Sequence, residues 1–329
     1  MFNLIAIGDP IIDTHVQIDD NCAECRIMEP HQKHLCFDYG SKIPIVDSFQ
    51  SLGGNAPNVA VGAVKLGLSA AVVSTVGADM NGEIALRELN SQGVDTSYIA
   101  TDKNGKTRYS IVLNYKQERT ILSYSDKKTY IWPKKMPDAE WIYYTGMSAG
   151  FEPVQKSLIA YLDKHPTVRL AINPGSYMLK YAESALKEII ARADVLIVNL
   201  EEALQILNTS LSKEKNVTSI IHELITLGPK EVALTDAGRG AWAGNRDEIW
   251  HLEVFPVEVV AKTGAGDAFS AAYLAARSHN HDFIHALSWG VANSSGVIQQ
   301  HGPHAGLLSE PEIKKMITRF ATIKPQKLL

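Results

Sequence analysis

The sequence predicts an α/β fold, a mainly parallel central sheet with helices on its faces and a smaller β-sheet inserted into it. Three observations point there. Strand-like and helix-like patterns alternate over residues 53–93 and again over 141–299, the order that builds parallel sheets. The run Ala70 to Val76 is apolar but for Ser74 and Thr75, as strands covered on both faces are. Residues 107–124 break the rhythm, with two strand-like runs and no helix between them.

Leu4 to Ile7 is a short apolar strand ended by Gly8-Asp9-Pro10. Thr14 to Ile18 alternates like a half-exposed strand, and 19–34 is polar. Leu35 to Ile45 regains strand character around a break at Tyr39-Gly40-Ser41. A small-residue helix opens at Gly53-Gly54 and closes at Gly67, and its Ala, Val and Gly content predicts tight burial. The strand Ala70–Val76 then leads to a helix from Glu83 to Gln92, ended by Gly93. Tyr109–Asn114 and Arg119–Tyr124 read as a hairpin. Strands are expected at Trp141–Tyr144, Arg169–Ile172, Val195–Val198 and Glu231–Thr235. Helices are expected at Glu152–His165, Tyr181–Arg192, Glu201–Leu207 and Val217–Leu227. Ala241–Ala243 and Glu248–Phe255 read as a terminal meander. Helical patterns follow to about Ser278, from Phe283 to Gln299 and after Ser309. The expected division is a core of 1–13, 48–100 and 129–329, with 14–47 and 101–128 forming a β lid.

The totals narrow the function classes. A net charge of −4 and a pI near 6.3 give no basic footprint for nucleic acid. No apolar run reaches the length of a membrane span. Met1 to Asp9 lacks a basic n-region and a cleavage site, so a cytoplasmic protein is expected. Three cysteines in 329 residues make no disulfide framework.

The stretch with most chemical content is Lys262-Thr263-Gly264-Ala265-Gly266-Asp267, followed by an apolar helix pattern. Small residues leave their N–H groups open to a ligand, and a helix N-terminus favours negative charge. Asp267 places a candidate base in the same turn. An anion seat beside a base suits phosphoryl transfer to a hydroxyl. A glycine-rich helix cap is the equally good reading of the stretch alone. The other strand-end turns favour a site: Gly8–Asp13, Gly53–Asn58, Asn199–Glu202 and Thr235–Gly240 gather where parallel sheets bind ligands. The Gly-x-x-x-x-Gly-Lys-Ser/Thr phosphate loop is absent, and so is Gly-x-Gly-x-x-Gly after the first strand.

Segments 53–67 and 262–274 resemble the two signatures of the PfkB/ribokinase family of carbohydrate and nucleoside kinases, in order and spacing over nearly the whole chain. The resemblance implies a ribokinase-like three-layer α/β/α domain with a β lid that covers the acceptor and pairs in a homodimer. It implies ATP and Mg²⁺ as donor and cofactor, and a sugar or a nucleoside as acceptor. Asp267 is then the catalytic base, and the backbone of Gly264, Ala265 and Gly266 the anion hole. Asp13, Gly53, Gly54 and Asn55 form the acceptor-binding set, with Asn58 in support or simply capping its helix. Asn199 and Glu202 match the family's Asn-x-x-Glu, which acts on Mg²⁺ and phosphate. Thr235, Gly238 and Gly240 fall in the nucleotide loop, and Asn293 near the adenine. The diglycine segment resembles fructokinase-like and ketodeoxygluconate-kinase-like members more than adenosine kinases. A nucleoside kinase, with Tyr109 or Tyr115 stacking a base, is the alternative within the family. A non-catalytic sugar-binding regulator is the alternative outside it.

Two departures stand out. Ala261 stands where family members often carry an Asp that helps hold a monovalent cation, and Lys262 adds an ammonium beside it, so weak or absent K⁺ activation is expected. Ala237 stands where the family usually has glycine. Outside the pattern, Cys22, Cys25, His31, His34 and Cys36 lie close together, and Cys22, Cys25, His34 and Cys36 are a candidate tetrahedral Zn²⁺ site. A polar lid loop with scattered cysteines is the competing reading.

Overall fold

The computed structural model describes residues 1–22, 25–28, 34–116, 118–210 and 216–328, without the side chains of 25–28. In chain order the strands and helices are β1 (Phe2–Ile7), β2 (Ile11–Ile18), β3 (Cys25–Met28), β4 (His34–Phe37), β5 (Ile45–Gly53), α1 (Asn55–Lys65), β6 (Ala70–Gly77), α2 (Met80–Ser91), β7 (Ile99–Asp102), β8 (Arg108–Tyr115) and β9 (Glu118–Tyr124). They continue with β10 (Ala139–Tyr144), α3 (Glu152–Lys164), β11 (Arg169–Ile172), α4 (Ser176–Tyr181), α5 (Glu183–Ile190), β12 (Val195–Asn199), α6 (Leu200–Ile206), α7 (Val217–Thr226) and β13 (Glu231–Thr235). The last are β14 (Ala241–Gly244), β15 (Ile249–Leu252), α8 (Ala265–Ser278), α9 (Phe283–Val297), α10 (Glu310–Arg319) and β16 (Gln326–Lys327).

The large sheet runs β16-β15-β14-β13-β12-β11-β10-β1-β6-β7. It is parallel from β13 to β7, and β14, β15 and β16 add an antiparallel edge. Alternate residues of each central strand enter two separate cores. Leu4, Trp141 and Tyr143 pack under α1, α8 and α9, while Ile5, Ile142 and Tyr144 pack under α3, α5 and α7. That is the expected three-layer arrangement. The small residues of α1 have a specific use: a Cβ at Gly62 would lie 2.6 Å from Ala271, so α1 and α8 meet at backbone range.

The small sheet runs β5-β2-β8-β9. It reaches further than the expected lid, taking in Ile11–Asp13 and the whole of β5 to Gly53. β5 was legible only at its start, because Asp47, Ser48, Gln50 and Ser51 mask its alternation. The expected helix Tyr181–Arg192 is α5, while α4, which precedes it and ends at Ala182 (φ −135°, not helical), was not expected.

The chain passes between the sheets beside Asp9, which is buried. Its Oδ2 accepts from Tyr130 Oη (2.7 Å), Ser148 N (3.0 Å) and Ser148 Oγ (2.9 Å). Arg108 and the buried Lys128 ion-pair with it at 3.5 and 3.6 Å. Lys128 Nζ also donates to Thr75 O at 3.1 Å. Burial lowers the Lys128 pKa, and the Asp9 charge opposes that shift.

Candidate active site

Parallel packing brings the carboxyl ends of β1, β10, β11, β12 and β13 to one edge, and the turn before α8 closes over them. Gly264, at φ +82°, is the N-cap of α8, and a Cβ there would sit 2.7 Å from Pro303. Both facts require glycine. Gly266 has open space where a Cβ would be, so its backbone faces the cavity bare. Asp267 lies in the first turn of α8. Its Oδ2 accepts from Asn58 Nδ2 at 2.7 Å. Burial raises its carboxyl to about 6, against that hydrogen bond.

A cavity of about 170 Å³ lies against this turn, lined by Asn55, Asn173, Glu202, Lys262, Gly264 and Asp267 among others. Asn199 and Glu202 form a capping box on α6: Asn199 Oδ1 accepts from Glu202 N at 2.9 Å, and Glu202 Oε2 from Asn199 N at 3.0 Å. Burial pushes Glu202 up to about 7, and the nearby Asp267 charge adds to the rise. Asn173, at the end of β11, ties the floor together. Its Oδ1 accepts from Asn55 Nδ2 at 2.9 Å and its Nδ2 donates to Ile197 O at 2.9 Å.

The second cavity, of about 500 Å³, shares Asn199, Thr235, Lys262, Ala265 and Gly266 with the first. Phe255, Val257, Phe269, Val291 and Ile298 make it largely apolar, and Gly238 and Gly240 are on its rim. An apolar slot with polar groups at one end fits a nucleotide.

On the other side, Asp13 accepts from Ser110 Oγ, and a Cβ on Gly53 would lie 2.5 Å from its Oδ2. Gly54, at φ +97°, passes under Asp9, whose carbonyl would be 2.3 Å from a Cβ. His15 stacks on Phe49, with centroids 4.5 Å apart, on the face that carries Asp13. Arg119 of β9 donates to Thr263 Oγ1, so the small sheet touches the glycine turn.

Several expectations need revision. Asn293 is fully buried, donating to Ala268 O (2.8 Å) and accepting from Leu308 N (2.9 Å), and its neighbours Val291 and Ser294 line the nucleotide-sized cavity instead. Asn58 is buried, with both ends of its amide engaged by protein groups. Tyr115 is buried with Ile18 and Cys22, and Tyr109 stacks on Tyr124. Of the cysteine–histidine group, Cys22 is buried and disulfide-bonded, Cys36 is a free thiol and His34 is exposed. The Cys25 side chain and His31 lie outside the described residues. Among the described residues no three His, Cys, Asp or Glu come together as metal ligands. Sequence reasoning missed His304 and Asn173; the Asn-Pro-Gly turn closing β11 was the available signal for the latter.

A profile described as pfkB family carbohydrate kinase matches residues 32–310. The 5-dehydro-2-deoxygluconokinase of Halalkalibacterium halodurans is 23% identical, covering 98% of this chain and 96% of that one. The ribokinase of Staphylococcus aureus is 22% identical, covering 80% of this chain and 87% of its own. The structure of Arabidopsis thaliana ribokinase complexed with ribose and ATP superposes with a TM-score of 0.78 at 19% identity, covering 96% and 98% of the two chains. The nucleoside kinase of Methanocaldococcus jannaschii gives 0.75 at 18% identity, covering 97% and 99%.

Proposed function

The chain belongs to the pfkB family of carbohydrate kinases, and from that premise we propose that it transfers the γ-phosphate of ATP to a hydroxyl of a sugar or sugar derivative. The observation that carries this reading is the place of Asp267. Its carboxylate lies beside the bare backbone of Gly264–Gly266, where a small polar cavity meets a larger apolar one. ATP lies in the larger cavity with its phosphates toward the α8 N-terminus. Asp267 takes the proton from the attacking hydroxyl, and the N–H groups of the turn hold the charge that develops on the phosphoryl group. Asp13, Asn55 and the Gly53-Gly54 backbone hold the acceptor. Glu202 would act on Mg²⁺ indirectly and Asn199 on the nucleotide, and Mg²⁺ when bound would neutralise phosphate charge.

Sugar acceptors fit the family and the polar floor. Nucleosides stay in view for one reason: the His15–Phe49 pair offers a planar aromatic surface on the Asp13 face. Ile45, Val46, Ile121 and Leu122 are exposed on the two edge strands of the small sheet, the part of the molecule through which two copies would pair. Sedimentation velocity should then show a dimer that Ile121→Lys dissociates.

The deciding experiment is an ATP-consumption screen over sugars, sugar acids, sugar phosphates and nucleosides. Asp267→Asn should lower turnover on the best acceptor by about 10²–10⁴-fold while calorimetry still records ATP binding. Turnover retained in that variant would remove Asp267 as the base.

A further inference from the structure

The structure assigns a positioning role to His304: acting through Asn58, it fixes which end of an amide meets Asp267. This rests on the reading of Asp267 as the general base. Asn58 projects from α1 with two partners. Its Nδ2 donates to Asp267 Oδ2 at 2.7 Å, and its Oδ1 lies 2.8 Å from His304 Nε2.

The ends of a primary amide are not equivalent: the NH₂ only donates and the carbonyl only accepts. An ionised carboxylate only accepts. Asn58 must therefore turn its NH₂ toward Asp267, which leaves Oδ1 to accept a proton from the ring of His304. Only an imidazole with hydrogen on Nε2 supplies one. A ring with hydrogen on Nδ1 would present a lone pair to Oδ1 and favour the reversed amide. Two oxygens would then oppose each other at Asp267. The tautomer of one ring thus sets the hydrogen bond that the base receives.

His304 is held for this task. Its loop packs on the turn it serves, since Pro303 lies against Gly264. Leu307 N donates to His304 O at 3.1 Å, closing the loop as a turn. Burial brings the ring down to about 4, so it stays neutral where Asp267 ionises. The titratable groups around Asp267 are Glu202 of α6, Tyr143 of β10 and Lys262 of its own turn. The substitutions below leave all three in place.

The test compares His304→Phe, His304→Gln, Asn58→Leu and the double variant His304→Phe/Asn58→Leu. The Asp267 midpoint is read by ¹³C NMR of the labelled carboxyl, which needs no turnover, and by the acid limb of kcat/KM. His304→Phe should raise both by about one pH unit. His304→Gln, which keeps an N–H donor, should recover most of the shift, and His304→Phe should add nothing to Asn58→Leu. In the wild type, ¹⁵N shifts should show neutral His304 carrying its proton on Nε2. An unmoved midpoint in folded His304→Phe, additive shifts, or a proton on Nδ1 would overturn the assignment. Should His304→Phe fail to fold, Asn58→Leu and the wild-type tautomer decide. A wild type inert toward every acceptor would sink the kinase reading, while the NMR titration would still judge His304.

Discussion

Asp267 lies under opposed demands. In the base role proposed for it, it must ionise, yet burial resists ionisation and lifts it from 3.8 to about 6. Between those values the native state holds more protons than the unfolded chain, so stability falls as pH rises through that window. Above it, keeping the carboxylate charged costs about 2–3 kcal/mol. Asp267→Asn should therefore be more stable than the wild type at pH 7.5, by about 2 kcal/mol, and equal to it near pH 4. Chemical denaturation at the two pH values measures both. Activity should run the other way, falling about tenfold per pH unit below about 6 as the base is protonated. The carboxylate itself was legible from its glycine turn. Its regulation was not, because His304 and Asn58 are far apart in the chain and meet only after α1 packs on α8.

At the scale of elements, two loops carry predictions. Ala237 in the loop after β13 has φ +35°, a region that favours glycine, and the sequence already marks it as unusual. Ala237→Gly should relieve the strain and raise stability by up to about 1 kcal/mol, read as a higher melting temperature. In the turn before α8, Ala261 offers no carboxylate and Lys262 brings an ammonium, so turnover should stay flat as K⁺ is titrated in place of a large inert cation. A several-fold rise would refute this. Elements with one clear period were readable: β6, β10 and β13 are mainly apolar, and α1 is flanked by Gly54 and Gly67. β5 and α4 were not. One is an edge strand with polar residues on both faces, and the other is a six-residue helix too short to show a period.

For the whole molecule, the two sheets could be told apart in sequence by their helix content. Their joint could not, because Asp9, Arg108, Lys128 and Tyr130 carry no motif. Asp9→Ala would leave two cations facing each other without their anion, and should cost about 3–5 kcal/mol in a denaturant titration.

That joint also decides how separable the two sheets are. The acid belongs to the first crossing from the large sheet, and its cations and phenol arrive from the returning segments. A transplant that moved only the four small-sheet strands onto a related core would split one buried ionic cluster across two lineages. Such chimaeras should fold only when positions 9, 108, 128 and 130 travel together, which makes these four the practical seam for recombining acceptor specificity.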